Sequence, residues 1–348
     1  MNNKSYEKLR LRRCLVILLG ICLIIVLGIK FVILGAVDTD YTDVFQAIYH
    51  YFQDSLDGYA NYKVLLYMRF PRIIMAIAAG WGLAIAGVGM QGVTSNSLVS
   101  PFTVGISSAA AFGASCCIVF GSGFWARQEG WVVGAFISAM ICMVVVYAIS
   151  SALGMKASSI VLAGIALNYF FQACTSALEF FADEYQLSAV VNWSFGTFNG
   201  VDWTETGIVI AFVTAGFIAP MILSPKINVL MIGDDALSRS MGVNPTVIRA
   251  LILIISVLIT SAVISFTGVI GFVGLVAPHI GRIIIGEDNR YLIPFSAIIG
   301  SLLMLIADTI GRTILRPVSL PVGVVISFIG VPLFVILILR KRGGYHGA

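Results

Sequence analysis

Of the 348 residues, 59% are hydrophobic and only 11% are charged, with a formal net charge of +4. Soluble domains run about 45–50% apolar and about 25% charged. The excess apolar surface excludes a soluble enzyme, a disordered chain and a disulfide scaffold, and it leaves a polytopic membrane protein. The chain opens on a basic tail, 1–13, containing Lys4, Lys8, Arg10, Arg12 and Arg13. The apolar run behind it, 14–37, is longer than the roughly 7–15 residues of a signal-peptide core, so it reads as a first span with the tail in the cytoplasm. Further runs near the length needed to cross a bilayer predict spans at 71–93, 102–120, 131–153, 159–182, 206–224, 247–267, 272–286, 292–311 and 321–340. The eighth is short and glycine-rich. Continuous runs, not ten-residue alternation, argue for helices over a β-barrel. The expected fold class is all-α, a bundle of about ten transmembrane helices forming a single domain over 1–348.

Charge supports this topology. Arg340, Lys341 and Arg342 place the C-terminus inside with the N-terminus. Of 21 lysines and arginines, only Lys30, Lys63, Arg69, Arg72, Arg127, Arg312 and Arg316 then fall within a span or outside. Of 17 acids, only Glu7, Asp234, Asp235, Glu287 and Asp288 fall inside. The arginines on the outer side are exceptions that need a reason. Asp308 and Arg312, four apart, share a helix face, which also allows a local pair. The net charge reflects membrane orientation and predicts no nucleic-acid partner.

Two polar segments exceed what a connection needs. Residues 38–70 lie outside, with a mixed stretch at 44–52 suited to the membrane surface. Residues 225–248 lie inside, and 234–241 predict a short helix there. Asp234 and Asp235 suit its N-terminus, and Gly242 can end it in a left-handed conformation. Such a helix is either a plain interfacial loop element or a docking element for a soluble partner.

Catalytic signals are missing. The sequence has no phosphate-binding G-x-x-x-x-G-K-[ST] loop. His50, His279 and His346 are far apart, and Cys14, Cys22, Cys116, Cys117, Cys142 and Cys174 lack metal-knuckle spacing and read as small packing residues. No catalytic residue, metal ligand or enzyme activity is expected. Charges deep within spans, which an ion-coupled secondary transporter uses as a relay, are scarce. A chain that moves a solute with neither device takes its energy from a partner.

From Arg69-Phe-Pro-Arg72 onward the sequence resembles the FecCD family, the membrane permeases of ABC importers for iron–siderophore complexes, haem and cobalamin. The resemblance runs in order through Asn96-Ser-Leu-Val-Ser-Pro101, Leu162-Ala-Gly-Ile-Ala-Leu167, Trp193-Ser-Phe-Gly196, Gly200-Val-Asp-Trp203 and Gly233-Asp-Asp235 with Met241-Gly242. Its strongest block is Gly268-Val-Ile-Gly-Phe-Val-Gly-Leu-Val-Ala-Pro-His-Ile-Gly-Arg282, followed by Ala307-Asp-Thr-Ile-Gly-Arg312 and Leu320-Pro-Val-Gly-Val324. Thr94-Ser-Asn-Ser departs from the family's commoner Arg- or Glu-Asn-Pro, and Lys156 and Ala157 stand where relatives often carry small hydroxyl residues.

The resemblance implies a type II ABC importer permease in the bacterial cytoplasmic membrane, importing an iron(III)–siderophore complex, with haem or cobalamin as alternatives. It implies a second permease subunit, identical or homologous, an ATPase dimer inside that carries ATP and Mg, and an extracytoplasmic binding protein. This chain itself would bind no cofactor. Gly233, Asp234, Asp235, Ala236, Leu237, Arg239, Met241 and Gly242 match the element that couples to the ATPase. Arg69, Arg72 and Arg312, with Arg316 added, match outward-facing arginines that meet the binding protein's glutamates. The other reading of these arginines is an anchor for helix ends at headgroups. The fifth span and the segment at 189–195 would line the path. Asn168, Gln172 and Ser176, on one face of that span, are either its wall or helix–helix glue. Lys156, Ala157, Ser158 and Ser159 match the cytoplasmic gate loop.

Overall fold

A computed structural model describes residues 3–34, 39–53, 60–315 and 318–343, and among them every regular element is helical. In chain order these are α1 (Asn3–Ile33), α2 (Tyr41–Phe52), α3 (Ala60–Val64), a π-turn (Leu65–Arg69), α4 (Phe70–Thr94), α5 (Ile106–Phe120) and α6 (Gln128–Ala152). They continue with α7 (Ala157–Phe181), α8 (Glu184–Ser194), α9 (Trp203–Leu230), α10 (Asp235–Ser240), α11 (Pro245–Thr267), α12 (Val273–Ile285), α13 (Asn289–Thr313) and α14 (Val322–Gly343). All ten predicted spans contain a helix. Seven are long and apolar enough to cross a membrane, and Ile106–Phe120, Val273–Ile285 and Val322–Ile336 are shorter.

Helix α4 is the hub. Most of its residues are buried, whereas α1 is exposed along most of its length. In lipid, neighbouring helices gain nothing from excluding water, so close van der Waals approach holds them together, and small residues permit it. Gly80 meets Gly300 of α13 backbone to backbone, and Gly87 meets Gly274 of α12 the same way. Hydroxyls supplement the contact: Ser301 Oγ donates to the Ile77 carbonyl at 2.9 Å and Ser256 Oγ to that of Ala86 at 3.3 Å. A second centre forms where α5 and α6 cross at Gly113 and Gly134.

The eighth predicted span is a 13-residue helix, α12, preceded by irregular backbone at 268–272. Irregular backbone inside a membrane protein is tolerated where it is buried in protein or lines a cavity, and in this stretch Gly268 and Ile270 are buried while Val269, Gly271 and Phe272 are partly buried. Gly196, Gly268 and Gly323 are packed so closely here that a Cβ on any of them would lie 2.2–2.5 Å from a backbone oxygen. Thr197 N–H donates to the Thr267 carbonyl at 2.7 Å.

Several expected boundaries shift. Segment 225–248 is shorter as a connection: α9 continues through Pro225 to Leu230, and α11 starts at Pro245 with Asn244 as its cap. The stretch at 189–195 belongs to a longer helix, α8, which starts at a capping box between Asp183 and Gln186. Cys14 and Cys22 are exposed on the peripheral α1 and are not core packing residues, while Cys117 and Cys142 are buried.

Candidate functional site

Two polar centres lie at opposite ends of α4, which at 25 residues is about 37 Å long. The first is built on Arg-Phe-Pro-Arg. Pro71 has no N–H to donate, and the turn before it adopts the wider π register, in which Phe70 N–H donates to the Leu65 carbonyl. In that register the Leu66 carbonyl would need the proton Pro71 lacks. Trp203 Nε1 supplies it instead, at 2.8 Å.

The same turn aims Arg69 at α1. Its Nη1 donates to the carbonyls of Val32 and Ile33 and to Thr39 Oγ1, at 3.0, 2.9 and 2.7 Å. One turn on, Arg72 holds Asp308 of α13 through Nε at 2.8 Å and Nη2 at 2.7 Å, and it also reaches Asn199 Oδ1. Arg312 takes the other carboxylate oxygen of Asp308 at 2.9 Å and donates to the carbonyls of Leu34 and Phe31. Asp308 is only 1% exposed. The arginines stand at the expected end of the bundle but not in the expected attitude. Arg69 is buried, and Arg72 and Arg312 are nearly so, because each is turned toward acceptors of its own chain. Asp308 serves two arginines and is more than a local partner of Arg312. Arg316 lies outside the described residues.

The second centre surrounds α10. The Asp234 side chain accepts from the N–H groups of Ala236 and Leu237 at 2.8 and 3.4 Å, capping the helix. Gly233 and Gly242 flank it with φ of 89° and 79°, values that favour glycine. Leu237, Arg239 and Met241 are exposed, and Ser238 is buried toward the bundle. Asp235 forms a two-pronged ion pair with Arg249 of α11, at 2.7 and 2.8 Å. That guanidinium holds the Asp235 carboxyl below the usual carboxylate range. The pair's contribution is complete above the ordinary carboxylate value and is lost only as pH falls through the lowered one. Asp234→Ala should cost about 1 kcal/mol of local helix stability. Amide exchange should then accelerate at 236–240 alone, and unchanged exchange there would show that the cap holds nothing.

The expected path residues separate. Gln172 and Ser176 are exposed on α7, but Asn168 accepts a hydrogen bond from Ser108 of α5. The reason is the approach of α7 to the turn before α5, where Gly164 packs on Val104 and Gly105 on Asn168. A separate, largely apolar cavity of about 560 Å³ lies between the end of α8, the 269–272 stretch and α14, lined by Phe102, Phe195, Phe272 and Phe328 among others. Segment 189–195 reaches it through Ser194 and Phe195, and the α7 stripe does not. At the α10 end, Lys156 and Ser158 are exposed, Ala157 is half-buried and Ser159 is buried. Among the described residues, no three of His, Cys, Asp and Glu gather to hold a metal.

The model of the FecCD transport family matches residues 18–340. The chain belongs to the FecCD transport family. Among relatives of this FecCD protein, the hemin transport system permease protein of Yersinia pestis is 34% identical over 81% of this chain and 85% of its own. The Fe(3+)-citrate import system permease protein YfmE of Bacillus subtilis is 35% identical over 78% and 80%. A structure described as an inward-facing metal-chelate type ABC transporter superposes with a TM-score of 0.80 at 25% identity, covering 93% of this chain and 99% of that one. The FecCD chain is thus a multi-pass permease subunit of an ABC importer.

Sequence reading missed Arg249 in this FecCD chain, although it is 4% exposed and central to the α10 centre. Its one visible signal was a lone arginine in an otherwise apolar helix. It also missed Arg282, whose Nη1 donates to Gln91 Oε1 at 2.6 Å and so ties α12 to the end of α4.

Proposed function

We propose that this permease carries an iron(III)–siderophore complex across the cytoplasmic membrane, powered by a separate ATPase dimer and fed by an extracytoplasmic binding protein. The family match across nearly the whole chain carries the reading. The named iron-citrate and hemin systems among its relatives favour a chelate, with haem as the second substrate. Both termini and α10 face the cytoplasm, as the basic residues of the tail favour. There α10 docks the ATPase through its exposed residues, and hydrolysis belongs to that partner, so the chain is not itself an enzyme. The end bearing Arg72 faces outward and receives the binding protein. Arg69, Arg72 and Arg312 serve that contact by fixing the rim and by long-range attraction, not as freely extended side chains. A second permease copy or homologue faces the exposed side of α7, with Gln172 and Ser176 along the path.

The test is purification of the chain from its native membrane, with a photo-crosslinking residue at the exposed Asn199. An ATPase should co-purify, its rate should rise when a binding protein loaded with an iron–hydroxamate complex is added, and Asn199 should crosslink to that protein. A preparation with no ATPase would refute the reading. Stimulation by haem-loaded protein alone would move the substrate to haem.

A further inference from the structure

Arg249 does more than neutralise Asp235. Its buried guanidinium meets three separate segments at once, through two backbone carbonyls and one carboxylate. Nε donates to the carbonyl of Val93, one residue before the end of α4, at 3.0 Å. Nη1 donates to the carbonyl of Met155, in the turn between α6 and α7, at 3.3 Å. Nη1 and Nη2 together grip Asp235, the first residue of α10.

The turn it holds is tightly specified. Met155 is a non-glycine residue at φ 52°, with its side chain only 1% exposed among the residues of the α5–α6–α7 core. Its N–H donates back to the Ser150 carbonyl at 2.7 Å. Left-handed backbone is unusual for a residue with a side chain, and here both packing and the Arg249 bond fix it. The next residue, Lys156, occupies the position immediately before α7. A displacement of this turn is therefore a displacement of the start of α7.

The side chain of Asp235 is 40% exposed and that of Arg249 only 5%. One partner of the pair is thus open to solvent beside the exposed face of α10, and the other is sealed inside the bundle. We infer that Arg249 is a positioning residue that transmits movement of α10 to the end of α4 and to the turn that starts α7. The inference rests on α10 being the element that docks the ATPase. Arginine suits the task because a planar fork can hold several acceptors in fixed directions, which a lysine ammonium on a flexible stem cannot. Water exclusion by a docked partner would strengthen the ion pair when force passes through it.

The test uses the whole permease–ATPase complex in vesicles, with Ser158→Cys as reporter. Ser158 is exposed in the first turn of α7. Its labelling by a water-soluble maleimide is read by site-resolved mass spectrometry, with and without ATP and vanadate. Nucleotide should change the labelling rate about tenfold, within the usual span of coupling between sites. Arg249→Lys should abolish that change while the ATPase stays bound and hydrolyses ATP. Asp235→Asn should also lose the change, and Asp235→Glu should restore part of it. A preserved nucleotide response in Arg249→Lys would overturn the inference. So would a parallel loss of thermal stability, ATPase binding and response, because that would mark Arg249 as structural only. If Arg249→Lys does not fold, Asp235→Asn decides by the same readout. A separate arm tests the docking reading beneath it: Leu237→Arg, on the exposed face of α10, should release the ATPase. Undiminished ATPase binding in that variant would remove the docking reading, whatever the reporter shows.

Discussion

Asp308→Ala is expected to destabilise the folded chain by about 3–5 kcal/mol, the range for removing one partner from a buried ion pair. The carboxylate is 1% exposed and accepts from Arg72 and Arg312, which are 12% and 10% exposed. Without it, two guanidinium groups face each other across the contact of α4 and α13. The loss should fall mainly between those helices, because Arg312 keeps the carbonyls of Leu34 and Phe31. Asp308→Asn preserves shape and one acceptor oxygen, so it should fall between the parent and the alanine variant. Thermal or denaturant unfolding of the purified chain in one detergent is the measurement. A change of less than about 0.5 kcal/mol, as for an ordinary surface site, would mean the bracket contributes nothing.

The second large effect concerns glycine. A Cβ on Gly87 would lie 1.8 Å from the Gly274 carbonyl oxygen, and one on Gly80 would lie 2.2 Å from that of Gly300. Both obstacles are backbone, so no side chain can swing aside, and α4 must part from α12 or α13. Overpacking usually costs about 1–3 kcal/mol, and Gly87→Ala should reach or exceed the top of that range. Two other glycines provide the comparison. In Gly216→Ala the new methyl meets only side-chain atoms of Ile259 and Ile255, so the loss should be smaller. Nothing lies within 4 Å of a Cβ on Gly207. Because alanine is the better helix former by about 1 kcal/mol, Gly207→Ala should be neutral or slightly stabilising. Equal unfolding midpoints for Gly87→Ala and Gly207→Ala would contradict the packing account.

Local chemistry was readable where it acts over a few residues. The ten apolar runs predicted ten helices, the glycine-rich run at 272–286 holds the shortest of them, with 102–120 and 321–340 also holding shorter apolar helices, and α10 begins after Asp234 and ends before Gly242. The capping box of Asp183 and Gln186 was equally readable but fell outside an apolar run, so the start of α8 was passed over. What could not be read is which way a charged side chain turns. Arg72 and Asp308 are 236 positions apart, and Arg69 and Arg312 find backbone carbonyls of α1, which every residue possesses. Arg249 poses the same difficulty, since its partners at Val93 and Met155 lie 156 and 94 positions away. No pattern in the sequence marks one carbonyl as an acceptor over another. The π-turn was hidden for a related reason: Pro71 forbids one hydrogen bond without saying where the chain will find its replacement.

The brevity of α12 imposes an order on synthesis. Thirteen residues span about 20 Å, against a hydrocarbon core of about 30 Å. The rest of the distance belongs to 268–272, whose irregular backbone would leave costly unsatisfied polar groups in lipid. Its covering comes partly from 196–197, already made, and partly from the region of Gly323, which the ribosome has yet to reach. Until that region is made, 268–272 lacks part of its covering, although α12 already has α4 to pack on through Gly274 and Gly87. Helix α14 thus completes the covering of a crossing begun some fifty residues earlier.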